Sequence, residues 1–422
     1  MTVTAVTQRA RRTHPLVVLL RLLVVLALAG AVVLGTLIAV APTPSIAATR
    51  LDAPPPPAAE PTIAWPEAAR AAAYAVVGEP DARGAWGSDA PVPMASLAKL
   101  VTVLVVLEAH PLDDDERGPE IVLGRDDVNA LGRAIAERAP IAVVHDGMVV
   151  TQRDLIEWSL VTSAGNASWS LAHWAFGSID AFLEATAAWA ERNGFTGMRV
   201  ADPAGLDVAS VATAAELAQV GLLAVEHPVV LASMQLPSVA VPGVGAAPNT
   251  NRIQGQGFID GGKTGMLFVW GRNLLATAVR VVDGRPERVV GVVLGTVTAD
   301  AVNEGMLGLI DSLWDEFGEV EVLPAGTPVG EYRAPWGEVV TAATTTPLAV
   351  DAFTGLAPSA EVSLEAVRVD VPRGTVGTAV AEATSGERSE TTVMTDGILD
   401  GPDLAWRIEH APEVLAWYLA QP

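Results

Sequence analysis

The feature that most constrains this chain is an uninterrupted apolar run from Leu22 to Val40. A helix of about 20 residues is long enough to cross the hydrocarbon core of a bilayer. The segment before the run is basic, and positive flanks favour the cytoplasmic side; its arginines are Arg9, Arg11, Arg12 and Arg21. We therefore predict a cytoplasmic basic segment over residues 1–21 and a membrane anchor over residues 22–42 that contacts the bilayer through residues 22–40.

A cleaved signal peptide is the alternative to a retained anchor. The small residues of Ser45–Ala48 offer a site where a peptidase could cut. The apolar run, however, exceeds the roughly 7–15 residues of a signal peptide. The sequence thus favours a single-pass protein of the cell membrane, and either outcome places the rest of the chain outside the cytoplasm.

The chain beyond the anchor divides by composition. A Pro/Ala-rich linker over residues 43–62 contains Pro54–Pro57, and such a segment is stiff and extended. Residues 63–320 are predicted to form an α+β domain in which helices precede a late β-hairpin. The predicted helices span 94–109, 152–175, 178–194 and 212–227, and the hairpin strands span 274–282 and 288–297.

The amino-acid composition changes after this domain. Short Val- and Thr-rich segments alternate with glycines over residues 323–405, which predicts a small all-β domain. One of its strands is predicted at 367–371, where apolar and charged residues alternate. Residues 406–422 remain as a C-terminal tail.

Charge and cysteine content exclude several function classes. The 422 residues contain no cysteine, which rules out disulfides, cysteine nucleophiles and thiolate metal sites. The 49 acidic residues all follow residue 50, and the formal net charge is −23. A body this acidic repels phosphate backbones, so no nucleic-acid partner is expected. The six histidines show no paired ligand spacing, and no metal or other cofactor is expected.

The chain has 26 basic residues but only two lysines, and both lie in motifs that could carry chemistry. Ser96 and Lys99 are three residues apart, so on a helix their side chains share one face. Serine is a weak nucleophile until a base removes its proton, and a desolvated neutral lysine can do this. The alternative interpretation is a helix-capping serine beside an unrelated lysine.

The second lysine lies in the glycine-rich segment Asp260–Met266. A Lys263–Thr264–Gly265 step on a strand edge leaves backbone open beside the glycine, so a ligand can pair with it. Lys263 would supply a positive charge, and Thr264 a hydroxyl, for an anionic group. The alternative is a glycine-rich surface turn.

Together these elements resemble the motif set of penicillin-binding proteins and serine β-lactamases. The resemblance is to the serine D-alanyl-D-alanine carboxypeptidases, the low-molecular-weight penicillin-binding proteins of peptidase family S11, and it covers residues 63–320. It includes Ala95–Thr102 as the active-site helix, the segment Asp202–Asp207, and Asn249–Arg252 ahead of Gly262–Gly265. The β-rich domain lies where many members carry a C-terminal domain.

The resemblance implies the serine β-lactamase and D,D-peptidase fold: a five-stranded antiparallel sheet covered by helices, with a helical subdomain beside it. It implies that Ser96 attacks a peptidoglycan stem peptide ending in D-Ala-D-Ala, at the carbonyl of the penultimate D-alanine. Lys99 would take the serine proton, and Ser163 would pass a proton to the leaving D-alanine. β-Lactams would act as covalent inhibitors.

The resemblance also implies how the substrate is held. Lys263, Thr264 and Gly265 would bind the end of the peptide that carries the terminal carboxylate. The backbone N–H groups of Ser96 and Met266 would form the oxyanion hole. Relatives often add an arginine after the next strand, but residues 298–304 contain none, which leaves recognition of the carboxylate more dependent on Lys263.

The middle motif departs from the family pattern. Relatives carry Ser-x-Asn, whereas this chain has Ser163–Ala164–Gly165, with glycine where the asparagine belongs. Asn166 follows, but one residue along a helix rotates a side chain by about 100°. Either Asn166 reaches the site through a displaced loop, or the site works with fewer groups, or it does not turn over.

More than one function class therefore remains open. The favoured prediction is a carboxypeptidase that trims the terminal D-alanine, with endopeptidase action as an alternative. A protein that captures stem peptides or β-lactams with impaired turnover is a second class, and a purely structural wall-anchoring role is a third. β-Lactamase activity is not expected, because no glutamate near the motifs is placed for deacylation.

Overall fold

A computed structural model describes residues 14–53, 59–369, 374–384 and 386–419. Arg9, Arg11, Arg12 and Pro54–Pro57 therefore lie outside the described residues. The chain divides into two compact units. The first comprises Met1–Pro57, Glu321–Val350 and Ala357–Pro422, and the second comprises Ala58–Val320 and Asp351–Leu356.

The described residues form helices and strands in the following order. The helices are α1 (Pro15–Ala39), α2 (Ala98–Ala109), α3 (Arg125–Ala136), α4 (Gln152–Val161), α5 (Gly165–Phe176), α6 (Ile179–Arg192), α7 (Ala214–Glu226), α8 (Pro228–Gln235), α9 (Ala299–Trp314), α10 (Leu404–Glu409) and α11 (Ala411–Ala416). The strands are β1 (Ala48–Arg50), β2 (Ala71–Val76), β3 (Glu79–Gly87), β4 (Val92–Pro93), β5 (Glu120–Val122), β6 (Val149–Thr151), β7 (Val211–Ala212), β8 (Ser238–Val241), β9 (Gly245–Pro248), β10 (Ile259–Leu267), β11 (Gly271–Val282), β12 (Arg285–Thr296), β13 (Phe317–Leu323), β14 (Pro328–Arg333), β15 (Val339–Thr344), β16 (Leu348–Phe353), β17 (Ala360–Leu364), β18 (Thr375–Glu382) and β19 (Arg388–Thr395).

The second unit is organised by a five-stranded antiparallel sheet in the order β10-β11-β12-β2-β3. Strand β2 is buried along its whole length, because the sheet has a hydrophobic core on each face. Ala71 and Ala73 join the core that contains α2 and α7, whereas Tyr74 and Val76 join the core that contains α9. Side chains of a strand alternate between faces, so β2 contributes to both cores.

Helix α2 lies at the centre of the helical part of this unit, and ten of its twelve residues are buried. The chain enters it through a single 3-10 turn over Ala95–Leu97, inside the predicted helix 94–109. The helix predicted over 152–175 is instead two helices, α4 and α5. The break falls at Ser163, whose φ of +62° is incompatible with a continuing right-handed helix.

The late hairpin is present as β11 and β12, joined by a tight turn at Asp283–Gly284. It supplies two of the three central strands of the sheet and leaves β10 at one edge. The edge position matters for the site described below, because an edge strand has one side free of strand partners.

The first unit contains a six-stranded sheet in the order β1-β14-β15-β19-β18-β17 over its own hydrophobic core. Strand β1 pairs antiparallel with β14, so part of the segment expected to be a spacer is built into the sheet. The strand predicted at 367–371 is wrong for its described residues, 367–369. Val367 forms only an isolated bridge with Ile46, and residues 370 and 371 lie outside the described chain.

The two ends of the first unit are helical. Helix α1 has 25 residues, and its most apolar stretch of 18 residues has a mean hydropathy of 2.9 and no buried residue. It begins earlier than the apolar run alone suggested, since Pro15 suits the first turn of a helix. The C-terminal tail forms the short helices α10 and α11.

Candidate active site

Ser96 and Lys99 are in direct contact at the start of α2. The 3-10 turn over Ala95–Leu97 places Ser96 one helical turn ahead of Lys99, and Lys99 Nζ lies 2.8 Å from Ser96 Oγ. Lys99 is fully buried, whereas Ser96 is half-buried. The serine is therefore open to a ligand, while its amine partner is shielded from water.

The environment of Lys99 favours its neutral form. Burial lowers the pKa of Lys99 to about 7, and the negative charge of Asp202 opposes this effect. Near neutral pH a substantial fraction of Lys99 is therefore uncharged. A neutral amine in contact with Ser96 Oγ can accept the hydroxyl proton, whereas an arginine at this position would stay protonated.

The turn Asp202–Asp207 gives Lys99 a second partner. Lys99 Nζ donates to the backbone carbonyl of Ala204 at 2.7 Å. The carboxylate of Asp202 holds this turn, because it accepts from the N–H of Ala204 at 2.8 Å and from the N–H of Asp207 at 2.7 Å. Asp202 thus positions the carbonyl of Ala204 that accepts from Lys99 Nζ. It also supplies a negative charge near that amine.

Gly205 lets this turn approach the 3-10 turn that carries Ser96. Its φ of +68° lies in the left-handed region, and a Cβ at this position would be 1.9 Å from the carbonyl oxygen of Ala95. No side chain fits at that distance. The approach of the Asp202–Asp207 turn to the 3-10 turn therefore depends on glycine.

The backbone just ahead of Ser96 is strained and tightly held. Ala95 has a φ of +52°, which is uncommon for a residue with a Cβ. The buried amide of Asn273 on β11 donates to the carbonyls of Pro93 at 2.9 Å and Met94 at 3.0 Å. Its Oδ1 accepts from the N–H of Gly295 at 2.9 Å. Asn273 thus ties the backbone just ahead of Ser96 to the central strands of the sheet.

The Lys-Thr-Gly step lies on the edge strand β10, beside the turn that carries Ser96. A Cβ at Gly265 would lie 3.0 Å from the carbonyl oxygen of Met94 and 3.2 Å from the backbone nitrogen of Ser96. Glycine therefore allows β10 to pass close to the turn that carries Ser96. Thr264 Oγ1 donates to Thr250 Oγ1 at 2.8 Å, which brings the Asn249–Arg252 segment to the same edge.

Lys263 is fully buried, and its Nζ donates to the carbonyl of Thr264 at 3.0 Å. Burial holds the pKa of Lys263 well below its usual range, and the positive charge of Lys99 lowers it further. No carboxylate in the described part of the chain offsets this burial as Asp202 does for Lys99. Within the described residues, Lys263 is thus a buried amine whose ammonium form lacks a compensating negative charge.

The middle motif lies in the break between α4 and α5. Ser163 is buried there, in the left-handed conformation noted above. The neighbouring Asn166 is fully buried, and its amide accepts from the N–H of Ala142 at 3.0 Å and donates to the carbonyl of Ala142 at 2.8 Å. Asn166 therefore holds the segment around Ala142 and does not take the place of the missing asparagine.

Gly165 itself begins α5, and its φ is not in the left-handed region. A Cβ at this position would lie 3.5 Å from the Cβ of Ala139 and 3.7 Å from that of Ala134, which are ordinary contact distances. The backbone does not require glycine here. The chain thus departs from the Ser-x-Asn pattern at residue 165, although a side chain would fit there.

Sequence reasoning assigned no role to three groups that build this site: Asp202, Thr250 and Asn273. Asp202 and Thr250 lie in segments that carried the family resemblance, so a signal was present. The sequence carried no signal for Asn273, because the role of a side-chain amide within a strand becomes apparent only when its hydrogen-bond partners are known. One of these partners lies 180 residues earlier.

Replacing Gly205 with alanine is expected to destabilise the second unit by more than the cost of the left-handed conformation. Gly78→Ala is the matched control, because Gly78 has a φ of +85° and nothing within 4 Å of a Cβ. The control is expected to cost about 1 kcal/mol, and Gly205→Ala about 3 kcal/mol or more, because it adds a backbone clash. Thermal unfolding of the two variants measures the difference. Equal costs would show that the contact with Ala95 relaxes freely.

Comparison with known proteins places the chain among cell-wall peptidases. A D-alanyl-D-alanine endopeptidase of Escherichia coli is 29% identical over 144 residues, which are 33% of this chain and 41% of that protein. The match thus spans about two fifths of that curated relative's length.

Solved structures share the fold. Penicillin-binding protein 5 of Haemophilus influenzae superimposes with a TM-score of 0.56 at 20% identity, over 81% of this chain and 99% of that one. A D-alanyl-D-alanine carboxypeptidase of Francisella tularensis gives 0.55 at 18% identity, over 82% and 98%. The family model for D-alanyl-D-alanine carboxypeptidases, peptidase family S11, matches residues 85–298, half of the sequence. The chain belongs to this family.

Proposed function

We propose that the chain is a serine D-Ala-D-Ala carboxypeptidase that removes the terminal D-alanine from peptidoglycan stem peptides through an acyl-enzyme on Ser96. The observation that carries the proposal is the 2.8 Å contact between Lys99 Nζ and Ser96 Oγ, with a lysine pKa near 7. A buried amine in this state is a base already in place beside its nucleophile. Membership of the family supplies the substrate class.

In the acylation step, Ser96 Oγ attacks the carbonyl carbon of the penultimate D-alanine while its proton moves to Lys99 Nζ. The carbonyl oxygen becomes an oxyanion, which would accept hydrogen bonds from the N–H groups of Ser96 and Met266. The close passage of β10 at Gly265 supports this pairing of donors. Only backbone atoms take part, so the methionine side chain is no obstacle.

The tetrahedral intermediate then breaks its C–N bond. The proton held on Lys99 is passed through Ser163 to the nitrogen of the leaving D-alanine, which departs as a neutral amine. Water next attacks the ester on Ser96, with its proton returned through Lys99. The shortened peptide leaves, and the serine hydroxyl is restored.

The terminal carboxylate of the substrate would bind at Lys263 and Thr264. Lys263 is a buried amine without an acidic partner in the described residues, so an incoming carboxylate supplies the missing counter-charge. The carboxylate raises the pKa of Lys263, and binding therefore favours the ammonium form. Recognition of a free C-terminus is in this way coupled to protonation of Lys263.

Two further candidates each have one supporting observation. A D,D-endopeptidase that cuts crosslinked peptides is favoured by the name of the Escherichia coli relative. A protein that captures stem peptides or β-lactams with impaired turnover is favoured by Gly165, since Asn166 is engaged with Ala142 and offers no replacement donor.

The membrane assignment is part of the proposal. Helix α1 is the one helix among the described residues that is by itself long and apolar enough to span a bilayer. Arg21 marks the start of its uncharged part. We place the N-terminus in the cytoplasm and both units outside it, as a single-pass protein of the cell membrane.

Ser96→Ala is expected to abolish covalent labelling by a fluorescent penicillin and release of D-alanine from a D-Ala-D-Ala peptide. Ser359→Ala, at an exposed serine of the first unit, is the control and should behave as the parent chain. Intact mass identifies the acyl-enzyme. Unchanged labelling of Ser96→Ala would identify a different nucleophile.

The same assay separates the candidates. Release of D-alanine supports the carboxypeptidase, and cleavage of a crosslinked peptide dimer alone supports the endopeptidase. Labelling without either product supports the capture protein. Absence of labelling and of both products in the parent chain would contradict all three.

The acylation rate is expected to rise with pH through a midpoint near 7 and then level off, because Lys99 must be neutral to accept the serine proton. Asp202→Asn removes the negative charge that raises the pKa of Lys99, so the midpoint should move to lower pH. The lost hydrogen bond to Asp207 should also lower the plateau rate. Asp283→Asn, in the exposed β11–β12 turn, is the matched control. An unchanged midpoint in Asp202→Asn would show that Lys99 does not control the profile.

Gly165→Asn is expected to fold normally, because a Cβ there makes only ordinary contacts. If the missing amide limits turnover, D-alanine release should increase on the order of 100-fold, the scale of the loss when one well-placed active-site hydrogen-bond donor is removed. Gly165→Ala is the control, since it adds the Cβ without the amide. Equal rates in both variants would show that position 165 has no catalytic role.

A further inference from the structure

The C-terminal helices pack against the end of the N-terminal apolar helix. Val414 of α11 is fully buried, and it forms a small hydrophobic cluster with Ile38 and Ala41 at the end of α1. Trp406 and Trp417 lie at the edge of the same cluster. This cluster is separate from the core of the six-stranded sheet.

Polar contacts hold the same junction. Arg407 Nη1 donates to the carbonyl of Ala41 at 2.8 Å, and the hydroxyl of Tyr418 donates to the carbonyl of Leu37 at 2.7 Å. The last carbonyls of a helix lack donors within the helix, and a cation beside them is favourable. The C-terminal residues thus supply partners that the end of α1 needs.

An aromatic cluster links this junction to the β-domain. Trp336, from the turn between β14 and β15, has its ring centroid 5.8 Å from that of Trp406 and 6.2 Å from that of Trp417. His410 stacks on Trp406 at 4.1 Å. We call α10, α11 and residues 417–419 the collar.

The chain that leaves α1 is also built into the first unit. The N–H of Ile46 donates to the carbonyl of Val367 at 2.8 Å, and the N–H of Val367 donates back at 2.9 Å. Strand β1 then pairs with β14 from Ala48 onward. A cut after Ala47 would remove Ile38, Ala41 and Ile46 from this unit and expose Val414.

The position of the collar along α1 matches the edge of a bilayer. From Leu22, just after Arg21, to Ala39 the helix rises about 27 Å at 1.5 Å per residue, close to the thickness of a hydrocarbon core. The collar contacts therefore fall where the helix leaves the hydrocarbon. Tryptophan and tyrosine are enriched at that level of the membrane.

The collar also carries apolar side chains that are not covered within the described chain. Leu404 and Ile408 are 55% and 59% exposed and lie one helical turn apart on the same face of α10. Leu419, just after α11, is 90% exposed. Trp406 lies on the opposite face of α10, toward the aromatic cluster.

We propose that the collar docks on the outer end of α1 within the interfacial layer of the bilayer, with Leu404, Ile408 and Leu419 in contact with lipid, and that α1 is retained as a permanent anchor of the first unit. The lipid surface is the occupant because the collar packs directly on the end of the membrane-spanning helix, through Val414, Arg407 and Tyr418. This inference rests on the proposed membrane span and is independent of the proposed enzymatic activity.

The absence of cysteine allows a direct test on the full chain. Single-cysteine variants Leu28→Cys, Ile408→Cys, Leu419→Cys and Glu382→Cys are labelled with nitrobenzoxadiazole and reconstituted in vesicles of phosphatidylcholine and phosphatidylglycerol. Probes at 408 and 419 are expected to be quenched by lipids with a doxyl group near the headgroup. They should be several-fold less accessible to aqueous iodide than the probe at 382, in exposed β18.

The probe at Leu28, within α1, separates the two levels of failure. A Leu28 probe in lipid with the 408 and 419 probes in water would overturn the collar while leaving the anchor. A Leu28 probe in water would overturn the membrane span itself. Neither result bears on D-alanine release, which is measured on the same preparation.

Val414→Asp tests whether docking on α1 positions the collar. It places a charge in the cluster with Ile38 and should move the Leu419 probe into water while the Leu28 probe stays in lipid. Glu413→Gln, at the exposed neighbour, is the matched control and should change neither probe. The mass of the membrane-extracted parent chain should include residues 1–47, and a chain that begins after Ala47 would overturn retention of α1.

Discussion

The burial of Lys99 is the constraint on which the rest of the site depends. Removing an amine from water lowers the pKa of Lys99 to about 7, which makes it a base at neutral pH but leaves a polar group that needs partners. Ser96 Oγ and the carbonyl of Ala204 satisfy it, at 2.8 Å and 2.7 Å. The charge of Asp202 limits how far the pKa falls. In the proposed mechanism, the reactivity of Ser96 therefore follows from the burial of Lys99.

The fold keeps this arrangement by bringing three distant segments together. Gly205 and Gly265 allow two of them to approach the turn that carries Ser96: a Cβ at Gly205 would clash with the carbonyl of Ala95 at 1.9 Å, and a Cβ at Gly265 would make tight contacts of 3.0–3.2 Å. Asn273 anchors that turn to the central strands, where both faces of the sheet are covered by hydrophobic cores. Ala95 and Ser163 both adopt left-handed backbone conformations within motif segments, and rigid surroundings are what allow such strain to persist.

The first unit is organised by a different interaction, the packing of the C-terminal helices on the end of α1. Its sheet begins with β1, only eight residues beyond α1, and its collar closes on the same helix from the other end of the sequence. The segment that leaves α1 and the C-terminal helices thus meet at the same end of α1. In the proposed arrangement, the anchor and the β-domain form one structural element at the membrane surface.

The sequence by itself determined the features that depend on neighbouring residues. The apolar run of α1, the one-turn spacing of Ser96 and Lys99, and the β11–β12 hairpin follow from local periodicity and turn chemistry. Family motifs added the fold and the order of the active-site segments. Only the tertiary structure decided the break at Ser163, the engagement of Asn166 with Ala142, the pairing of β1, and the roles of Asp202 and Asn273. Each of these depends on a partner distant in sequence, and no local pattern encodes which buried polar group will find which acceptor.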